Sequence, residues 1–173
     1  MHKNKIAHRD IKLENILLDK DYCIKLADFG YSSRMNPRQL FCNPVGTSIY
    51  FAPEIHANMA HSGSAADLFA AGIILFTMVT GHMPFSKAVA EDRVYNLFFK
   101  GDQKTFWGFH ERMMNKKTQN YAFSEDFKDL MSQMFEVNPS KRLSLEEIKS
   151  HPWMQGEVCG RDRISQLITP ESC

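Results

Sequence analysis

The chain has 173 residues, 43% of them hydrophobic and 24% charged, and its formal net charge is +1. That length allows one domain with a substantial core, and the composition is that of an ordinary soluble globular protein. The near-balanced charge excludes bulk attraction to nucleic acid or to an anionic membrane as the basis of function.

The N-terminal Met1-His2-Lys3-Asn4-Lys5 is polar and lacks the apolar core of a signal peptide. Ile16-Leu17-Leu18, the polar turn Asp19-Lys20-Asp21, and Tyr22-Cys23-Ile24-Lys25-Leu26 together predict a small β-hairpin. From residue 61 the chain reads as a series of helices. Ser64 with Asp67 predicts a capping box, and Gly81 a stop after Thr80. The helix between them is apolar on nearly every face. Its apolar-rich stretch, Leu68 to Val79, is too short to span a bilayer and has Asp67 at its head, so a buried helix is expected. Residues 86–100 predict another helix, with Val94, Leu97 and Phe98 on one face. A further helix starts at Ser124, with Glu125 and Asp126 suited to its dipole. Its stripe is Phe127, Leu130, Met131, Met134 and Phe135. Ser144 and Glu147 form a capping box for a helix that must stop before Pro152. Residues 155–173, with Gly156, Gly160 and Pro170, predict a loose tail. Cys23, Cys42, Cys159 and Cys173 include no C-x-x-C pair, which predicts reduced thiols in a cytoplasmic protein.

The stretch richest in chemistry is His8-Arg9-Asp10-Ile11-Lys12-Leu13-Glu14-Asn15. Asp28-Phe29-Gly30 follows it, and Gly46-Thr47-Ser48-Ile49-Tyr50-Phe51-Ala52-Pro53-Glu54 comes further on. In this order and spacing the three resemble the catalytic loop, the metal-binding D-F-G and the A-P-E motif of protein kinases. The resemblance implies a mainly α-helical, protein-kinase-like C-terminal lobe with a small β-hairpin region near the catalytic loop. It also implies a reaction: transfer of the γ-phosphate of ATP to a protein hydroxyl, which needs positioning and charge neutralisation more than covalent help. Asp10 would accept the substrate hydroxyl's proton and orient its oxygen. Lys12 would neutralise charge on the γ-phosphate. Asn15 and Asp28 offer hard oxygens suited to Mg2+. The nucleotide-binding set is then Lys12, Asn15, Leu17 and Asp28. Lys12 and Thr47 resemble the serine/threonine class, so the expected partner is a protein bearing serine or threonine. Glu14 is either a docking carboxylate for a basic residue beside the phosphoacceptor or a solvated surface group.

The likeness covers roughly residues 1–154 and is nearest the calcium/calmodulin-dependent and AMP-activated kinases. It implies that Asp67 anchors the catalytic-loop backbone, with Phe69 where the family has tryptophan. It further implies that Gly81-His82-Met83-Pro84-Phe85 forms a turn, that Arg142 pairs with Glu54, and that His151-Pro152-Trp153 ends the domain. Lys104 to Phe123 has no counterpart in it. Nothing resembles the small N-terminal lobe: there is no glycine-rich loop, no V-A-I-K lysine and no hinge. That lobe is therefore expected upstream, residues 1–173 are expected to be inactive alone, and the helix from Ser64 is expected to leave apolar surface uncovered. Two classes stay open, a truncated kinase and a non-catalytic kinase-like binding module, with an unrelated helical adaptor a distant third. Finally, Met35 to Val45 contains no serine, threonine, tyrosine, aspartate or glutamate. Many relatives place there a phosphothreonine that pairs with the arginine of H-R-D. Arg34 and Arg38 make this loop basic, so it is expected to be ordered by Leu40, Phe41 and Val45 or by a partner's acidic group.

Overall fold

The structure, a computed structural model, describes residues 1–36, 39–116, 118–160, 163, 164 and 167. Short extended pieces come first. β1 (Ile6–Ala7) pairs antiparallel with β4 (Ser33–Arg34), Ile6 opposite Arg34 and Ala7 opposite Ser33. β2 (Ile16–Leu18) and β3 (Ile24–Leu26) make the predicted hairpin, with Leu17 opposite Lys25. Asp19 closes its turn: the carboxylate Oδ1 accepts from the N–H groups of Asp21 and Cys23, both at 2.9 Å. A short carboxylate side chain here imitates a backbone turn.

The helices follow in order: α1 (Pro53–His56), α2 (Gly63–Thr80), α3 (Arg93–Phe99), α4 (Gln103–Asn115), α5 (Glu125–Met134) and α6 (Leu145–Ser150). The predicted cap of α2 is wrong by two residues. Ser62, not Ser64, is the N-cap, its Oγ accepting from the Ala65 N–H. Asp67 takes no part in a capping box, because its carboxylate is buried and committed to the backbone N–H groups of His8 and Arg9. The far end is as expected: Gly81 has φ 72°, and its N–H donates to the Thr77 carbonyl at 2.7 Å. Such a left-handed cap carries no Cβ penalty at glycine.

As a helix of 18 residues, α2 is longer than its apolar-rich stretch suggested, and by length and composition it could cross a bilayer. Its side chains instead form the core. Phe69, Ile73 and Phe76 are fully buried. Around the Phe76 ring stand His110, Phe106, Trp107, Phe123, Phe127 and Phe135, with centroids 4.8–6.4 Å away. Truncating such a residue to alanine costs about 3–5 kcal/mol. One stripe of α2 (Leu68, Ala71, Leu75 and Met78) is only partly covered, and Met78 is 63% exposed.

α4 covers Lys104 to Asn115 of the stretch Lys104 to Phe123 that had no counterpart. It is capped by Asp102, whose side chain accepts from the Thr105 N–H, and it buries Phe106, Trp107, His110 and Met114. α5 and α6 follow the predicted stripe and capping box. A 3-10 turn, Pro152–Gln155, follows α6. The predicted tail falls largely outside the described residues, as do Arg38, Pro170 and Cys173.

One ion pair ties the two halves of this arrangement. Arg142 Nη1 and Nη2 donate to Glu54 Oε1 and Oε2, both at 3.0 Å. Arg142 also donates to the carbonyls of Ala65 and Glu136. The guanidinium lies 4.9 Å over the Phe69 ring, so phenylalanine serves as its apolar platform.

Candidate active site

Residues 8–15 are positioned by the core helix. Asp67 on α2 accepts from the His8 N–H at its Oδ2 and from the Arg9 N–H at its Oδ1, both at 2.8 Å. His2 Nε2 lies 2.8 Å from the same Oδ2. Arg9 has φ 69°, a left-handed conformation that a non-glycine residue holds only when its surroundings enforce it. The two bonds to Asp67 supply that enforcement. His8 is fully buried; its Nε2 is 2.9 Å from the Ala27 carbonyl, and its ring meets Phe29 edge-on at 5.1 Å. The loop is thus fastened on one side to the core and on the other to the segment that carries Asp28.

Asp10 sits where these constraints meet. Its Oδ1 accepts from the Thr47 N–H, and its Oδ2 from Lys12 Nζ, both at 2.8 Å. Lys12 Nζ also reaches Thr47 Oγ1 at 3.1 Å. Burial alone would push the Asp10 carboxyl up, but the hydrogen bonds from Lys12 and Thr47 outweigh it and hold the group below the usual carboxylate range. Lys12 is shifted up in return, chiefly by its bond to Asp10. At neutral pH the pair is a carboxylate and an ammonium.

Asn15 is buried, and its Nδ2 donates to the Asp10 carbonyl at 3.0 Å, which leaves Oδ1 as its remaining acceptor. Its own carbonyl accepts from the Ala27 N–H at 2.9 Å. That bond continues the β2–β3 ladder and brings Asn15 beside Asp28. Asp28 is exposed, has φ 58°, and accepts from the Gly30 N–H at 3.2 Å. Asn15 and Asp28 are thus the two oxygen-bearing side chains carried by neighbouring segments of this hairpin region. Among the described residues no group of three or more His, Cys, Asp or Glu could hold a metal ion. A hard cation at this spot fits only if a bound molecule completes its shell, and phosphate oxygens do so for Mg2+. Leu17 lies on β2 with its side chain exposed, and Glu14 is exposed in the 3-10 turn Leu13–Asn15.

Two contributors carry no side-chain signature. The Thr47 donor to Asp10 is a backbone N–H. Gly46, at φ 104°, lies so close to the loop that a Cβ there would be 2.4 Å from the Arg9 carbonyl oxygen. Only a glycine turn lets the segment before α1 approach Asp10 this closely.

The protein kinase domain family matches residues 1–154. The chain belongs to the eukaryotic serine/threonine protein kinase family. It is 34% identical over 157 residues to a carbon catabolite-derepressing protein kinase of Secale cereale, covering 91% of this chain and 28% of that protein. It is 35% identical over 156 residues to the SNF-related serine/threonine-protein kinase of Homo sapiens, covering 90% of this chain and 18% of the relative. The serine/threonine protein kinase OSK3 of Oryza sativa is 34% identical over 154 residues, 89% of this chain and 27% of the relative. The kinase sequence in hand thus spans less than a third of the length of these relatives.

Proposed function

We propose that this kinase transfers the γ-phosphate of ATP to serine or threonine hydroxyls of a protein substrate, with Asp10 as the group that receives and orients the hydroxyl. The observation that carries the reading is the Asp10 carboxylate, held from two sides by the Thr47 N–H and by Lys12. A carboxylate kept below its usual range is a weak proton acceptor. Its main contribution is alignment of the attacking oxygen, with the proton taken up late, as suits a loose phosphoryl-transfer transition state. Lys12, 2.8 Å from Asp10, stands ready to offset charge on the transferred group. Asn15 Oδ1 and Asp28 would hold Mg2+, which when bound with ATP neutralises the phosphate oxygens. Leu17 would contribute an apolar contact to the nucleotide.

The exposed apolar side chains of the hairpin and the residues after it (Leu17, Leu18, Ile24, Phe29 and Tyr31) support a further part of the reading. A small lobe elsewhere in the protein covers them and supplies the adenine cleft. Residues 1–173 alone would then be a C-terminal lobe without useful activity, and the whole protein would act in the cytoplasm. The test is phosphotransfer from Mg-ATP to a serine peptide by the whole protein. Asp10→Asn should lower turnover by about 10²–10⁴ while the melting curve stays in place. Unchanged turnover would refute the assignment. Robust turnover by residues 1–173 alone would refute the dependence on a second lobe.

A further inference from the structure

We propose that Phe41 is a positioning residue for the catalytic loop: its ring seats the Arg9 side chain and fastens residues 41–47 to the loop without any covalent modification.

The Arg9 guanidinium is the starting point. Its Cζ lies 4.5 Å from the centroid of the Phe41 ring, well inside the range of a cation–π contact. Its Nε is buried and has no hydrogen-bond partner, and among the described residues no carboxylate pairs with it. The Asp67 charge acts on the guanidinium from beyond ion-pair distance, its oxygens being taken by the backbone N–H groups of His8 and Arg9 and by His2. The aromatic face is thus the partner that this part of the fold provides for the cation.

The ring is held in a built seat. Phe41 and His61 exchange backbone hydrogen bonds in both directions, each 2.9 Å, as an isolated antiparallel bridge. Beneath the ring is Gly63, the first residue of α2. A Cβ at Gly63 would stand 2.7 Å from Phe41 Cε2 and 2.5 Å from Ala7 Cβ. The absence of that one carbon makes the space in which the ring lies. Leu40, expected to pack, is 54% exposed instead, so Phe41 and the half-buried Val45 carry the apolar contact of this segment.

The sequence supplies no rival. Met35 to Val45 has neither a carboxylate nor a hydroxyl that could be phosphorylated, so the segment has no carboxylate or phosphate to offer Arg9. Downstream, Gly46 touches the Arg9 carbonyl and the Thr47 N–H reaches Asp10. A ring that fixes both Arg9 and residue 41 therefore fixes the two sides of the Asp10 contact. The bearing of this on catalysis rests on the phosphotransfer reading above, but the contact itself does not.

The experiment compares the wild-type whole protein with Phe41→Leu, which keeps apolar bulk, and Phe41→Tyr, which keeps the aromatic face. Hydrogen exchange is followed at residues 8–12 and 41–47. In Phe41→Leu, exchange in both segments should speed up about two- to fivefold, the worth of a partly exposed cation–π contact. Phe41→Tyr should restore wild-type protection, and phosphatase treatment of the wild type should change nothing. Where phosphotransfer is measured, kcat should fall in Phe41→Leu with KM for ATP unchanged. Equal protection in the two variants would overturn the proposal, as would loss of protection on phosphatase treatment traced to Ser32, Ser33, Thr47 or Ser48. Exchange that separates the variants in a protein without phosphotransfer would leave this proposal standing and sink the phosphotransfer reading alone.

Discussion

Replacing Glu54 by glutamine is the sharpest perturbation of the fold. The change is isosteric, so its effect is electrostatic. The Glu54 and Arg142 side chains are 4% and 1% exposed, and water cannot take the place of the lost carboxylate. Glutamine can accept one of the two 3.0 Å bonds from Arg142, but its amide N–H groups then face a guanidinium N–H. The guanidinium cannot swing away, because the Ala65 carbonyl at 2.8 Å and the Glu136 carbonyl at 3.0–3.1 Å hold it. A buried cation stripped of its partner costs about 3–5 kcal/mol. With a urea slope of about 2 kcal/mol per M, the unfolding midpoint should fall by about 1.5–2.5 M. The melting temperature should fall by roughly 6–20 °C at about 2–4 °C per kcal/mol for a domain of this size. Adding Arg142→Met should recover part of the loss, since the buried charge goes, but not all of it, since the Ala65 and Glu136 carbonyls lose their donor. A midpoint shift in Glu54→Gln below about 0.5 M, near 1 kcal/mol on the same slope, would refute the reasoning.

Gly46→Ala should damage the site more than the fold: the new Cβ meets the Arg9 carbonyl and a positive φ, a strain of about 1–3 kcal/mol. Turnover should drop at least tenfold while the far-ultraviolet spectrum is unchanged, and wild-type turnover would show that the Gly46 approach is dispensable. His110→Phe should change the pH dependence of stability. Burial, with His82 adding to it, lowers the His110 pKa to about 3, so it stays neutral in the fold. The unfolded chain takes up that proton below about 6.5, so His110 withdraws stability as pH falls from there toward 3. Denaturant unfolding between pH 7 and pH 4 should show a flatter slope for the phenylalanine variant, and parallel slopes would count against the buried neutral imidazole.

The proposed catalytic residues stand out in the sequence because the chemistry proposed for them fixes both residue type and spacing. Asp10, Lys12, Asn15 and Asp28 lie on one continuous stretch whose hairpin could be read as well. The Glu54–Arg142 pair was legible only through the family likeness, since nothing local announces a contact across 88 residues. The cap of α2 was misread because only Ser64 has an acid three residues on, and that acid, Asp67, is drawn away by two backbone N–H groups, while Ser62, followed by Ala65 at that spacing, caps without a box. β1 and β4 are too short to show alternation. The Thr47 donor is backbone and leaves no trace in composition. Phe41 was one of the three apolar residues expected to pack in its loop, and its contact with Arg9, its bridge to His61 and the void at Gly63 single it out.

Asp67 has a consequence for how mutational data on this protein will look. Two amide N–H groups and a histidine nitrogen converge on its two oxygens. Asparagine has one acceptor oxygen, and its NH2 would point a donor at a donor. Glutamate brings an extra methylene to a site that is 2% exposed. No other side chain offers two acceptors at this reach, so the position is frozen by a count of lone pairs. A screen that scores only lost activity would rank Asp67 beside Asp10, although the hydrogen bonds of its carboxylate go to the chain's own backbone and to His2.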